Sequence, residues 1–345
     1  EDGLMSKTLF YIILGIITVI APFAFPAFQT QLATLWLMII VAQSWDMTGG
    51  QMGYNSLGNI FFYGTGMYVA AVVTIGLVYP VGEYTGAAGG GIYTFTPDEY
   101  FLGMALSIPA AGIFCALCAF IIGYVTFGLG GPDCASGARG VAIAGGEMVS
   151  NWDWIGGGQG ISMPSYPYNF DQFKTVIYFL YAILGIALFF FCRWLYQTRF
   201  GAAINAIRDD EEKAEAMGIH TMRYQLIAWA ISAFFVGAAG AISAFQLIHF
   251  EPLETAYQTI NLGIFMVVCV LLGGKGTLWG PVIGAVMFHV FKELTWNYFL
   301  GWQWVALGAL IVVVVVFFQD GLMGYLKYKR PEWFGIAVDT KEAKV

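Results

Sequence analysis

The chain has 345 residues, 59% hydrophobic and only 11% charged, where soluble domains carry about 25% charged residues. That composition excludes an ordinary soluble domain and reads as an all-α polytopic membrane protein. The formal net charge is −7, from 15 Lys and Arg against 22 Asp and Glu, and the absence of any basic stripe argues against a nucleic-acid partner.

Ten apolar runs follow one another, at residues 8–27, 31–48, 56–79, 102–128, 138–152, 174–196, 223–247, 258–273, 277–294 and 301–319. The fifth is weak and interrupted by glycine. Each is read as a transmembrane helix, since about 20 apolar residues cross a bilayer and fewer suffice inside a bundle. The first run follows Lys7 and mimics a signal peptide, but more spans come at once, so it is expected to be retained. With the N-terminus inside, the inner segments are 1–7, 49–55, 129–137, 197–222, 274–276 and 320–345. Every Lys and Arg except Lys174 and Lys292 then lies in an inner segment or at the inner end of a span, as the positive-inside rule requires. Spans two to five start outside and spans seven to ten start inside, so two blocks of opposite orientation are expected. The whole chain is one transmembrane domain, and both termini are expected inside, with residues 320–345 as a short inner tail.

Between spans six and seven lies the polar stretch 198–220, with eight charged side chains. Good helix formers fill it, and Gly201 and Gly218 bracket it. The stretch predicts two short helices outside the bilayer, joined near Arg208–Asp210. Three glycine-rich signatures interrupt the spans: Asn55-Ser56-Leu57-Gly58-Asn59-Ile60-Phe61-Phe62, Gly156-Gly157-Gly158-Gln159-Gly160-Ile161 and Gly273-Gly274-Lys275-Gly276-Thr277-Leu278-Trp279-Gly280-Pro281. Breaks in a membrane helix free backbone groups that only protein or a water-filled path satisfies. Asn55, Ser56, Gly58, Asn59, Phe61, Gly158, Gly160, Gly274 and Gly276 are therefore candidates for a solute path, with close helix packing as the simpler reading of each glycine.

Gly201, Ala206, Ile207, Arg208, Glu211, Ala214, Gly218 and Ile219, with the three signatures in this order, resemble the permease subunits of ABC importers for branched-chain amino acids. The resemblance extends over most of the chain. It weakens at residues 130–147, where the family's aromatic pair is missing, and near Ala202, Glu212, Lys213 and Gln225. It implies a ten-helix fold and transport of a branched-chain amino acid by alternating access, with urea or a short amide as the alternative cargo. It also implies a coupling helix using Gly201, Ala206, Ile207, Arg208, Asp209, Glu211, Ala214, Glu215 and Gly218. The partners it implies are a paralogous permease, two cytoplasmic ATPases holding ATP and Mg, an extracytoplasmic binding protein and the bilayer of a bacterial inner membrane.

No Walker motif occurs, so no cofactor is expected in this chain, and Lys275 followed by glycine does not make a phosphate loop. Cys115-x-x-Cys118 has metal or redox spacing but lies within a span without a second pair, so no metal is expected. Glu147 and His289 are ionisable residues within spans, which need a reason. Either they hydrogen-bond locally or they relay protons in a secondary transporter. A non-transporting membrane anchor is a third reading, and the glycine breaks speak against it.

Overall fold

The computed structural model describes residues 2–86, 93–128, 131–298, 301–317 and 321–323. The expected inner tail, but for 321–323, lies outside the described residues. Helices α1 (Asp2–Ala24), α2 (Gln29–Gly49), α3 (Asn59–Gly76), α4 (Val81–Gly86), α5 (Pro97–Phe127), α6 (Gly131–Ser150) and α7 (Phe170–Tyr196) make the first part. Then come α8 (Arg199–Asp209), α9 (Glu211–Ala216), α10 (Thr221–Leu247), α11 (Phe265–Gly273), α12 (Gly280–Tyr298) and α13 (Gln303–Phe317). Strands β1 (Ile161–Ser162) and β2 (His249–Phe250) pair antiparallel, with Ile161 opposite Phe250.

Each of the ten apolar runs contains helix, but the helices are not alike. Among the described residues, four are long and apolar enough to cross a membrane alone: Asn59–Gly76, Pro97–Phe127, Asp171–Tyr196 and Thr221–Leu247. Leu9–Ala24 and Pro26–Gly49 meet that criterion together, bent by 96° at their junction. Apolar side chains line the outer surface, among them Ile113, Leu117 and Ile121 of α5 and Ile12, Ile16 and Val19 of α1. Exposed apolar surface on this scale beside spanning-length helices marks a multi-pass membrane protein.

The bundle is built around α10, which is buried along most of its length. Small residues let its neighbours come to backbone distance. A Cβ on Gly66 of α3 would stand 2.1 Å from Gly237 O, and one on Gly240 would stand 2.2 Å from Tyr63 O. On the α5 side, a Cβ on Gly237 would meet Cys115 Sγ at 2.6 Å, the same thiol that donates to Phe62 O at 3.3 Å. Lipid tails are as apolar as leucine, so such close packing, rather than escape from water, is what holds membrane helices together. At one level the Trp229 ring of α10 is wedged edge-on between Phe62 and Phe127, each with its ring centroid 5.2 Å away.

The loops sort to two poles. Residues 50–58, α8 and α9, the start of α10 and the turn 274–279 meet at one end; hydrogen bonds join Tyr54 to Glu211 and Gly276 to Asp46. At the other end the β1–β2 pair joins the loops after α6 and α10, and Thr85 Oγ1 lies 3.2 Å from Trp154 O. Segments expected on the same side of the bilayer thus share a pole. Substituting Gly66→Val places a side chain into the Gly237 backbone and is expected to cost about 1–3 kcal/mol. A lower melting temperature and loss of the monodisperse species in detergent would show this, and unchanged thermal stability would contradict the packing argument.

Candidate functional site

At the first pole the polar stretch folds as two helices. Thr198 caps α8 by accepting from Phe200 N at 3.3 Å. The chain turns at Asp210, whose extended backbone ends α8 and whose carboxylate caps α9 by accepting from Lys213 N at 3.0 Å. A side-chain oxygen at that position satisfies a backbone donor the helix leaves free. Gly218 closes α9 with φ +86°, in the left-handed region suited to glycine.

The pair is amphipathic. Gly201, Ala203, Ile204, Ile207 and Ala214 are buried and Ala206 half-buried, while Arg208, Asp209, Glu212, Lys213, Glu215 and Gly218 are exposed. Gly201 is needed for close approach, since a Cβ there would stand 2.4 Å from Tyr196 O. Glu211 faces inward, accepting from Tyr54 Oη on one oxygen and from Gln225 Nε2 at 2.7 Å on the other. Glu215 accepts from Thr221 Oγ1 at 2.6 Å although it is exposed. Carboxylates bonded at once to the 50–58 loop and to α10 tie α9 to the bundle. Met217, 84% exposed, projects beyond it.

Arg208 reaches across the pole. Its Nε and Nη2 each donate to Asp209 Oδ1 at 3.1 Å, and its stem lies over Gly53, where a Cβ would come within 3.1 Å of Arg208 Cγ. Its Nη1 would lie 3.3 Å from a Cβ on Gly276. Beneath it Asp46, buried at the end of α2, accepts from Gly276 N at 2.8 Å. The third glycine signature is therefore a tight helix–helix turn. Gly274 and Gly276 take φ +115° and +71°, and Thr277 Oγ1 receives Gly280 N at 3.0 Å to start α12.

The nine candidates for a solute path do not gather around one cavity. Ser56, Gly58 and Asn59 are buried where α2, α3 and α10 cross. Trp45 Nε1 donates to Ser56 O at 2.9 Å, Gly58 N donates to Ser56 Oγ at 3.1 Å, and Ser232 Oγ lies 3.3 Å from Asn59 Oδ1. Asn55 is exposed. Phe61 packs on Tyr257, with ring centroids 6.2 Å apart, and a Cβ on Gly145 would strike its ring. Gly158 and Gly160 lie at the far pole, where Gly160 abuts Phe250 O with φ +79°. Gly274 and Gly276 sit beside Arg208. Glu147 is exposed on α6, which packs on α3 and α5, and His289 is buried on α12, which packs on α2 and α11; they do not form a pair.

One cavity of about 500 Å³ does open between α2, α10, α12 and α13. Lys292, Glu293, Gln246 and Thr255 line it. None of these four is among the nine path candidates, although Lys292 stands out in the sequence as a cation away from the inner segments.

A bundle with apolar flanks, loops sorted to two poles and a polar helix pair braced at one of them is a multi-pass membrane protein with one structured polar face. The chain belongs to the family described as "Branched-chain amino acid transport system / permease component", whose model matches residues 28–316. It is 26% identical over 323 residues to the high-affinity branched-chain amino acid transport system permease protein LivM of Salmonella typhimurium, covering 85% of this chain and 72% of that protein. To LivM of Escherichia coli K12 it is 25% identical, over 94% of this chain and 76% of that one. It is also 26% identical over 197 residues to LivH of Salmonella typhimurium, over 57% of this chain and 58% of that protein. No solved structure matches it.

The cap at Asp210 gives a pH dependence. Hydrogen bonds from the Lys213 side chain and backbone hold the Asp210 carboxyl below its ordinary range. Its contribution is thus fully present above that range and is lost as pH falls through the lowered value. Asp210→Ala is expected to speed amide exchange across α9 at neutral pH and to match the parent at acid pH; equal exchange at neutral pH would rule out the cap.

Proposed function

We propose that this chain is one permease of an ATP-driven importer that moves a branched-chain amino acid across the bacterial inner membrane by alternating access. The observation that carries the reading is the α8–α9 pair. It is a polar helical block braced to the bundle through Glu211, with an outward face of Asp209, Glu212, Lys213 and Met217 that is exposed among the described residues. In this reading that face seats a cytoplasmic ATPase, and Arg208 with Asp209 relays its movement toward Asp46 and the 274–279 turn.

The chain has no nucleotide-binding motif, so hydrolysis and its Mg belong to separate ATPase subunits. LivM and LivH carry the same system name as different permease proteins, which supports a second, related permease as partner. An extracytoplasmic binding protein delivers the solute to the opposite pole. The ten helical runs are taken as ten spans in two inverted blocks with both termini in the cytoplasm. The sharing of poles by expected inner and outer segments supports that parity. The separate packing of Glu147 and His289 disfavours a proton relay.

In sealed cells, single cysteines at Glu83 and Met217 are expected to label from opposite sides; labelling of both from outside would overturn the topology. Arg208→Glu is expected to lower uptake roughly tenfold or more, as loss of a partnered charge at an interface does, while leaving the complex assembled. Unchanged uptake would remove Arg208 from coupling. The purified chain alone should show no ATPase activity. With its partners it should take up L-leucine in an ATP-dependent way after the proton gradient is collapsed, and it should still do so with Glu147→Gln. Gradient-driven uptake by the chain alone would overturn the reading.

A further inference from the structure

The cavity between α2, α10, α12 and α13 lies near the β1–β2 pole, away from α8 and α9. It is reached past Leu247 and Asn297, which are exposed at its mouth. Its volume of about 500 Å³ falls within the range of about 300–1,000 Å³ usual for small-molecule sites. Two charges of opposite sign, Lys292 and Glu293, both half-buried, stand on its wall. Charged side chains in an apolar helix are costly and face a cavity or a partner. No salt bridge ties either of them to another side chain among the described residues. Lys292 Nζ rests over the Phe265 and Trp296 rings, 6.0 and 5.8 Å from their centroids. Gln246 and Thr255 add neutral hydrogen-bonding groups, and Leu37, Met38 and Leu262 supply an apolar wall.

A second observation points to the same place. The chain between β2 and α11 does not run as a regular α-helix but as two π-helical turns, Pro252–Ala256 and Thr259–Ile264. Thr255, Gln258 and Leu262 from this stretch line the cavity. Irregular backbone within a membrane bundle is tolerated where it borders protein or a water-filled space, π turns concentrate at functional sites, and broken helices of this kind form solute sites in transporters.

We propose that this cavity is a binding site for a zwitterionic solute with an apolar side chain, resting on the transport reading above. Lys292 takes the carboxylate, Glu293 the ammonium group, and the wall of Leu37, Met38 and Leu262 the side chain. Opposite charges on one wall fit an ammonium and an oxyanion held a few bonds apart. A neutral amide carries no charge to complement either of them.

The same ammonium–oxyanion chemistry occurs in a free amino acid and in a phosphatidylethanolamine headgroup, and the test separates the two. The full chain with its partner subunits is reconstituted in phosphatidylcholine vesicles, and L-leucine uptake is measured for the parent and for Lys292→Met, Lys292→Arg and Glu293→Gln. Labelling of Thr255→Cys by a charged methanethiosulfonate is followed with and without L-leucine, and again in vesicles containing phosphatidylethanolamine. Loss of one charge-assisted hydrogen bond corresponds to a fall of roughly tenfold or more. That fall is expected for Lys292→Met and Glu293→Gln, with recovery in Lys292→Arg and with L-leucine but not urea slowing the labelling. Parent uptake with both variants unimpaired and no protection by L-leucine overturns the site while leaving the transport reading intact. Protection by phosphatidylethanolamine alone makes the cavity a lipid site and also overturns it. A parent complex that takes up no L-leucine overturns the transport reading itself.

Discussion

Everything in this bundle depends on how closely α10 lets its neighbours approach. Within hydrocarbon, burial of apolar side chains against one another gains little over contact with lipid, so the bundle relies on contact at backbone range. Gly237 and Gly240 admit α3 and α5 on two sides of α10. Those contacts fix the depth at which the glycine signature after Asn55 lies, because Gly66, a few residues further along α3, rests on Gly237. The hydrogen bonds around Asn59, Ser44 and Ser232 at the α2–α3–α10 crossing sit at the level this packing sets.

Once α10 is placed, the polar pole follows from it. Glu211 and Glu215 hold α9 to Gln225 and Thr221, residues in the first turns of α10. Asp46 holds the end of α2 to the backbone of the 274–279 turn. Arg208 lies between these two connections, over glycines that have no side chain to obstruct it. The positive charge is only half covered and its bond to Asp209 is solvent-facing, so that pair adds little stability. Its position matters more than its energy.

The all-helical, multi-pass membrane character was legible in the sequence, because apolar run length is a global signal. The 198–220 stretch was legible for a local reason: good helix formers fill it, and Gly201 and Gly218 bracket it. What the sequence did not reveal was how the runs differ. The right-angled junction between α1 and α2 and the two π turns before α11 leave no periodic mark, since both depend on what packs opposite. The glycine candidates went the same way. A glycine that borders a solute path and one that admits a neighbouring backbone look identical in sequence, and here Gly58, Gly160 and Gly276 each meet protein atoms at close range. Lys292 was visible as an exception to the positive-inside pattern, but nothing in the sequence placed it beside Gln246 and Thr255.

The two ends of the molecule are joined by one continuous element. Gln225 meets α9 at one end of α10 and Gln246 lines the cavity near the other; at 1.5 Å per residue they are separated by about 32 Å of helix. A helix packed at backbone distance on two sides resists bending, because a bend would open close glycine contacts with α3 or α5. Glu211 and Glu215 tie α9 to the end of α10 that α3 and α5 embrace, whereas α11 and α12, joined by their own tight turn, meet the first pole through Asp46 and Gly276. The cavity lies between these two groups of helices, with Gln246 on one, Lys292 on the other and α2 packed against both. Charged groups from α12 and a neutral hydrogen-bonding group from α10 therefore meet in one cleft, at the end of α10 opposite the polar pole.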